Sequence, residues 1–172
     1  MAEASVLRGT RVRLRPPTMA DADALFENVA RDAEVTRYLL WSPHTCITET
    51  RRVIAEVYST ERTWLIERGG EVAGVCGWRQ RQPHAVELGY CLGRRWWRQG
   101  VMSETLALLL AEAQADPRIY RVSAFCHPAN AGSAAVLRRN RFALEGRLAR
   151  YAVFPNISSE PQDVLLFARA VR

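Results

Sequence analysis
The stretch Glu87-Leu88-Gly89-Tyr90-Cys91-Leu92-Gly93-Arg94-Arg95-Trp96-Trp97-Arg98-Gln99-Gly100-Val101-Met102-Ser103-Glu104 carries a strand straight into a helix. Its first half continues a strict alternation from Ala85. Val86, Leu88, Tyr90 and Leu92 face one way, and Ala85, Glu87, Gly89 and Cys91 the other. Beyond Gly100, Met102, Leu106, Leu109, Leu110 and Ala113 form one apolar stripe at helical spacing, and Asp116-Pro117 stops it. A helix N-terminus carries unpaired N–H groups and partial positive charge, which makes it an anion site. Gly100 permits close approach of a ligand, Arg94, Arg95 and Arg98 add charge, and Ser103 offers a hydroxyl in the first turn. On physics alone this turn is equally an ordinary helix start with solvated arginines. It is neither a P-loop nor a Rossmann fingerprint, because the glycine spacing fits neither.

Around this unit the patterning alternates. Thr10–Arg15 reads as a strand stopped by Pro16-Pro17. Thr18 with Asp21 caps a helix bearing Ala22, Leu25, Phe26 and Val29, and a second short helix is predicted over Asp32–Leu39. Trp41–His44 is a loop, followed by a helix with Val53, Ile54, Val57 and Tyr58 on one face. Thr63–Arg68 and Glu71–Gln82 form a hairpin at Gly69-Gly70. After the central helix, Arg118–Phe125 is a strand, Asn130 caps a helix running to about Asn140, and Leu144–Phe154 and Gln162–Ala170 are closing strands. Helices, hairpin, strand–helix–strand and further strands predict an α/β protein of α+β type, with helices on a mixed sheet.

The 172 residues suit one domain, and 48% apolar with 24% charged residues is an ordinary globular balance. Met1–Gly9 has no signal-peptide pattern and no window approaches a membrane span, so a cytoplasmic protein without membrane association is the expectation. The formal charge of +6 fits nucleic acid, an acidic protein or a polyanionic cofactor, but no basic tract marks a nucleic-acid arm. Cys46, Cys76, Cys91 and Cys126 show no metal or redox spacing and are expected as buried, reduced thiols.

Two motifs resemble those of GNAT N-acetyltransferases, and most of all their RimJ/RimL branch. Glu87–Leu92 followed by Trp96–Glu104 is similar to the cofactor motif, with Trp97-Arg-Gln-Gly100-Val-Met102 in the phosphate-loop pattern Q/R-x-x-G-x-G/A. Asn130-Ala-Gly-Ser133, running on to Phe142, resembles the family's N-x-x-S motif and its "G-F" end. The similarity covers about residues 8–171, which makes those residues one N-acetyltransferase domain. Arg98, Met102 and Arg141 stand where the family usually has glycine or a small residue, and Leu137 stands where many members carry a tyrosine general acid.

The resemblance implies a mostly antiparallel sheet of six to seven strands flanked by helices, and acetyl-CoA as acetyl donor. It places the cofactor against Tyr90, Cys91, Leu92, Trp97, Arg98, Gln99, Gly100, Val101, Met102, Ser103, Asn130 and Ser133. Main chain at Tyr90–Leu92 pairs with the pantetheine arm, the N–H of about Leu92 polarises the thioester carbonyl, and Ser133 hydrogen-bonds the departing sulfur. Ser133 is otherwise a first-turn serine. Glu87, an acid in a covered strand, is the candidate base or else a structural ion-pair partner. Tyr38, Trp41 and His44 are candidates for the acceptor pocket, with His44 as an alternative base, or they are core and loop residues. The acceptor is expected to be an amine, a protein N-terminal α-amine first and a small amine such as an antibiotic, polyamine or amino acid second. A non-catalytic module binding acyl-CoA or nucleic acid is the reading from another class. The oligomeric state stays open, a homodimer included.

Overall fold
A computed structural model describes residues 5–59 and 62–172. Its strands are β1 (Leu7–Arg8), β2 (Arg13–Arg15), β3 (Arg62–Arg68), β4 (Glu71–Gln82), β5 (Ala85–Leu92), β6 (Arg121–Cys126), β7 (Ala143–Val153) and β8 (Pro161–Ala170). The helices are α1 (Ala22–Leu25), α2 (Ala33–Thr36), α3 (Ile47–Val53), α4 (Val101–Ala115) and α5 (Ala131–Arg139). The strands form one sheet in the order β1-β2-β3-β4-β5-β6-β8-β7. Every neighbouring pair is antiparallel except β5 with β6. The mixed, mostly antiparallel sheet agrees with expectation, but its eight strands exceed the six to seven predicted. The extra strand arises because the predicted Thr10–Arg15 strand is confined to Arg13–Arg15. Leu7–Arg8 folds back on it, pairing Leu7 with Leu14.

The hairpin between β3 and β4 turns on Gly69 (φ 59°) and Gly70 (φ 81°). Two consecutive left-handed residues match the twist of the flanking strands and suit glycine. The helical regions before β3 are less regular than their periodicity predicts. Thr18 and Asp21 form the expected capping box, but α1 gives way to a π-helical turn over Phe26–Ala30, and α3 does the same over Ile54–Tyr58. The helix predicted over Asp32–Leu39 shortens to α2, whose cap is the Asp32 carboxylate accepting from the N–H groups of Glu34 and Val35.

Alternation divides the core into two layers. On one face of the sheet Val86, Leu88 and Leu92 join Leu106, Leu109, Leu110 and Ala113 of α4 and Leu137 of α5. On the other face Leu65, Val75 and Cys91 pack with Leu25, Val29 and Ile54 from α1 and the two π-helical turns. Cys76, Cys91 and Cys126 are buried, and burial pushes the Cys91 thiol up to about 12. Cys46 corrects the expectation for the thiols: it lies exposed just before α3.

Candidate active site
β5 and β6 pair only at Ala85–Arg121, Val86–Val122 and Glu87–Ser123. Past Glu87 they separate, while Ala124, Phe125 and Cys126 stay paired with β8 on their far side. Leu88–Leu92 therefore stay bonded to β4 alone. Gly93 donates its N–H to the Ala73 carbonyl of β4 at 2.8 Å. Successive main-chain N–H groups of a strand point to opposite edges, so the Leu92 N–H points into the gap. An unpaired strand edge in such a gap accepts an extended, amide-bearing ligand as an added strand.

The turn below the gap has the expected features and two surprises. Gly100 is left-handed at φ 75° and serves as N-cap of α4, and the first bond of the helix is Glu104 N–H to the Gly100 carbonyl at 3.1 Å. The N–H groups of Val101, Met102 and Ser103 thus precede the first intrahelical bond and are available to an anion. A Cβ on Gly100 would come to 3.0 Å from the Arg11 guanidinium, the movable end of an exposed side chain, so it is the φ of 75° that favours glycine here. Arg11 is the first surprise. It donates to the Gln99 carbonyl at 3.2 Å and pairs with Glu104 at 3.0 Å, bracing the turn from the β1–β2 connection. Burial raises the Glu104 carboxyl, but bonds from the Arg11 N–H and guanidinium outweigh it and hold the group below its usual range. The second surprise concerns charge. Arg94 pairs with Asp32 at 2.7 Å and Arg95 pairs with Glu71, so these two arginines are largely neutralised. Among the described residues no carboxylate pairs with Arg98, which leaves it as the free cation of the turn.

The other residues named for the cofactor fall into two groups. Gln99 turns its side chain back onto the Arg95 carbonyl at 2.6 Å. Val101 and Met102 bury their side chains in the core, so a large residue at position 102 does not crowd the turn. The Ser103 hydroxyl accepts from Asn140 Nδ2 at 3.2 Å, which leaves its own hydrogen to donate. The exposed Trp97 indole donates to the Leu92 carbonyl at 2.6 Å, capping the lower edge of the gap.

Across the gap, the Asn130 side chain accepts the Ser133 N–H at 3.1 Å and caps α5. The Ser133 hydroxyl lies 2.7 Å from the Tyr90 hydroxyl of β5. Leu137, one turn further on, is wholly buried in the core, so α5 presents no titratable group there. Glu87 lies three residues before Tyr90, hence on the opposite face of β5 and roughly 10 Å along it. Its side chain is only 12% exposed and is held by Arg81, with Nε at 3.1 Å. The ion-pair arrangement is thus the resting state of Glu87.

The acceptor candidates gather beside the gap. Tyr38 stacks on His127 at 5.3 Å, and Phe154 meets the same imidazole edge-on at 5.0 Å. Trp41 and His44 pair at 5.2 Å. Asn156 ties the segment in place by donating to the Thr36 carbonyl at 2.7 Å and the Trp41 carbonyl at 2.8 Å. His44 Nδ1 is 2.7 Å from the Thr50 hydroxyl, and burial depresses its pKa, a nearby Glu49 charge opposing. His127 follows β6 with no local pattern that marks it in the sequence. Its Nδ1 accepts the Ala129 N–H at 3.1 Å, which leaves Nε2 as a donor.

A split between two parallel strands, above a left-handed glycine that opens a helix, leaves a strand edge and a helix N-terminus side by side, an arrangement suited to an extended, anionic ligand. Residues 11–143 match the acetyltransferase (GNAT) domain, and the chain belongs to the GNAT acetyltransferase family. It is therefore an acyltransferase, an N-acetyltransferase whose donor is acetyl-CoA. It is 29% identical over 150 residues to the uncharacterized N-acetyltransferase p20 of Bacillus licheniformis, covering 82% of this chain and 84% of that one. It is 30% identical over 155 residues to the uncharacterized N-acetyltransferase YoaA of Bacillus subtilis strain 168, covering 85% and 87%. Among solved structures it resembles RimL, the ribosomal L7/L12 α-N-protein acetyltransferase, in complex with coenzyme A. There the TM-score is 0.85 at 27% identity, covering 96% of this chain and 98% of that one. Among the described residues no helix is long and apolar enough to cross a membrane.

Proposed function
We propose that this enzyme acetylates the α-amine at the N-terminus of a protein or peptide. The observation that carries the reading is the state of Glu87, the one acidic side chain on the gap-lining strand β5, held by Arg81. A free α-amine has a pKa near ~7.8 and a lysine one near ~10.4, a gap of roughly 3.5 kcal/mol in deprotonation cost. A lone carboxylate already engaged by a cation suits the easier acceptor. The likeness to RimL, whose substrate is a protein α-amine, points the same way.

Acetyl-CoA supplies an activated acetyl group as a thioester. The amides of Val101–Ser103 and the Arg98 guanidinium hold its pyrophosphate, and the edge of Tyr90–Leu92 takes the pantetheine arm. The Leu92 N–H hydrogen-bonds the carbonyl oxygen as negative charge grows there, a contribution on the order of 10²–10³ in rate. Glu87 receives the amine's proton through water once Arg81 swings away. The Ser133 hydroxyl hydrogen-bonds the sulfur as it departs. Glu87 and Ser133 serve opposite faces of β5, so the amine enters on one side and the thiolate leaves on the other. Tyr38, Trp41, His44 and His127 line the approach, and the His127 Nε2–H is suited to a peptide carbonyl.

The test is acetyl-CoA turnover over three acceptor sets: peptides with a free N-terminus, the same peptides N-blocked but carrying lysine, and small amines. The free-N-terminus set is expected to give the highest kcat/KM. Turnover confined to blocked peptides or small amines would sink the α-amine assignment.

A further inference from the structure
We propose that Tyr90 is a positioning residue that aims the Ser133 hydroxyl at the sulfur of coenzyme A. This rests on the acetyl-transfer reading of the same site. The geometry is direct. The Tyr90 side chain rises from β5 on the face covered by α4 and α5, and its hydroxyl stops 2.7 Å from Ser133 Oγ. Tyr90 belongs to β5 and Ser133 to the first turn of α5, which follows β6, so the contact spans the gap between β5 and β6. Ser133 is therefore fixed twice. Asn130 holds its main-chain N–H, and Tyr90 holds its hydroxyl.

Counting donors gives the direction. A serine hydroxyl has one hydrogen and two lone pairs. A phenol is the stronger acid of the two hydroxyls and so the better donor. Burial drives the Tyr90 pKa well above its ordinary value, the bond to Ser133 only partly offsetting this, so the phenol keeps its proton. Tyr90 donates to Ser133 Oγ, and the Ser133 hydrogen is left to point into the gap. With coenzyme A bound it finds the sulfur. In the transfer the C–N bond forms and the C–S bond breaks, its electron pair going to sulfur. The amine's proton leaves toward Glu87, and Tyr90 and Ser133 both keep theirs. The first turn of α5 thus offers through Ser133 a hydroxyl that Leu137 one turn on cannot, and Tyr90 of β5 holds it in place.

The variants are Tyr90→Phe, Ser133→Ala and the double. Tyr90→Phe keeps the ring and removes one buried hydrogen bond, so kcat is expected to fall about tenfold while KM for acetyl-CoA stays within about twofold. In the Ser133→Ala background Tyr90→Phe should cost nothing further, because the hydroxyl it aims is gone. A binding readout stands beside turnover. At about pH 9 the wild type should prefer coenzyme A to desulfo-coenzyme A about tenfold by calorimetry, and both single variants should move that preference toward parity. Unchanged kcat in Tyr90→Phe, multiplicative losses in the double variant, or an intact sulfur preference would each overturn the proposal. Wild-type protein that neither binds coenzyme A nor turns over would instead overturn the acetyl-transfer reading beneath it.

Discussion

Arg98 and Arg141 sit where related sequences usually have glycine, and both adopt left-handed backbone, at φ 58° and φ 62°. The chain keeps the shape of the turn and accepts the strain of a Cβ in that region, about 1–2 kcal/mol per residue. At position 141 the turn closes α5, with the Arg141 N–H bonded to the Arg138 carbonyl at 2.9 Å. Arg141→Gly should therefore raise stability by about 0.5–1 kcal/mol, after the greater unfolded-state freedom of glycine is subtracted, measurable as a shift in urea midpoint. Arg98 differs, because among the described residues no carboxylate pairs with its guanidinium, and in the proposed function that charge serves the cofactor's pyrophosphate. Glu87 yields a kinetic prediction. Glu87→Gln should lower kcat/KM for an α-amine about 10²-fold at neutral pH and leave acetyl-CoA affinity unchanged. Steady-state rates with equilibrium binding check this, and equal rates in variant and wild type would leave Glu87 only its ion pair with Arg81.

At the scale of elements, the N-terminal helical segment is locked to the sheet by one ionic cluster. Arg15 of β2 reaches Asp21 at 2.6 Å and Glu67 of β3 at 2.6 Å, while Asp21 also accepts the Thr18 N–H at 2.7 Å. Burial raises the Asp21 carboxyl, but Arg15 and Thr18 together hold it below its ordinary value. A carboxyl depressed in the folded state adds stability that is present above its unfolded pKa of about 3.9 and is lost as pH falls toward the folded value. The stability difference between wild type and Asp21→Asn should thus be full at pH 7 and shrink below about pH 4. Urea melts at several pH values measure it, and a difference that stays constant with pH would refute the ionic account.

The whole molecule is a sheet with one deliberate break. The eight strands form one sheet in which β5 and β6 pair over only three residues before parting, and helices cover both faces up to that gap. A ligand that fills the gap bonds two walls that otherwise touch only through side chains. Acetyl-CoA at about 100 times its Kd should stabilise the fold by ~2.7 kcal/mol, roughly 5–10 °C in melting temperature for a chain of this size. A thermal shift titration reads this, and no shift would count against the cofactor site.

Much of this was legible along the chain. The alternation of Ala85–Leu92 assigned both faces of β5, Gly100 marked the start of α4, and Asn130 announced its cap, because each of these is a local rule of strand period, helix terminus or side-chain cap. The seven longer strand runs followed from the same periodicity, while the division of the core into two layers came from the structure. What the sequence could not determine lies between segments distant in it. The Arg11 brace under Gly100, the pairing of Arg94 with Asp32, the stacking of Tyr38 on His127 and the 2.7 Å contact of Tyr90 with Ser133 join residues with no common local pattern. Local propensity fixes which face a side chain takes, but only packing fixes which other element that face meets. The sequence by itself thus determined the seven longer strands, the helix start at Gly100 and the Asn130 cap, because these follow local rules, while the tertiary structure decided which charges remain free at the Gly100 turn and which hydroxyls meet across the gap.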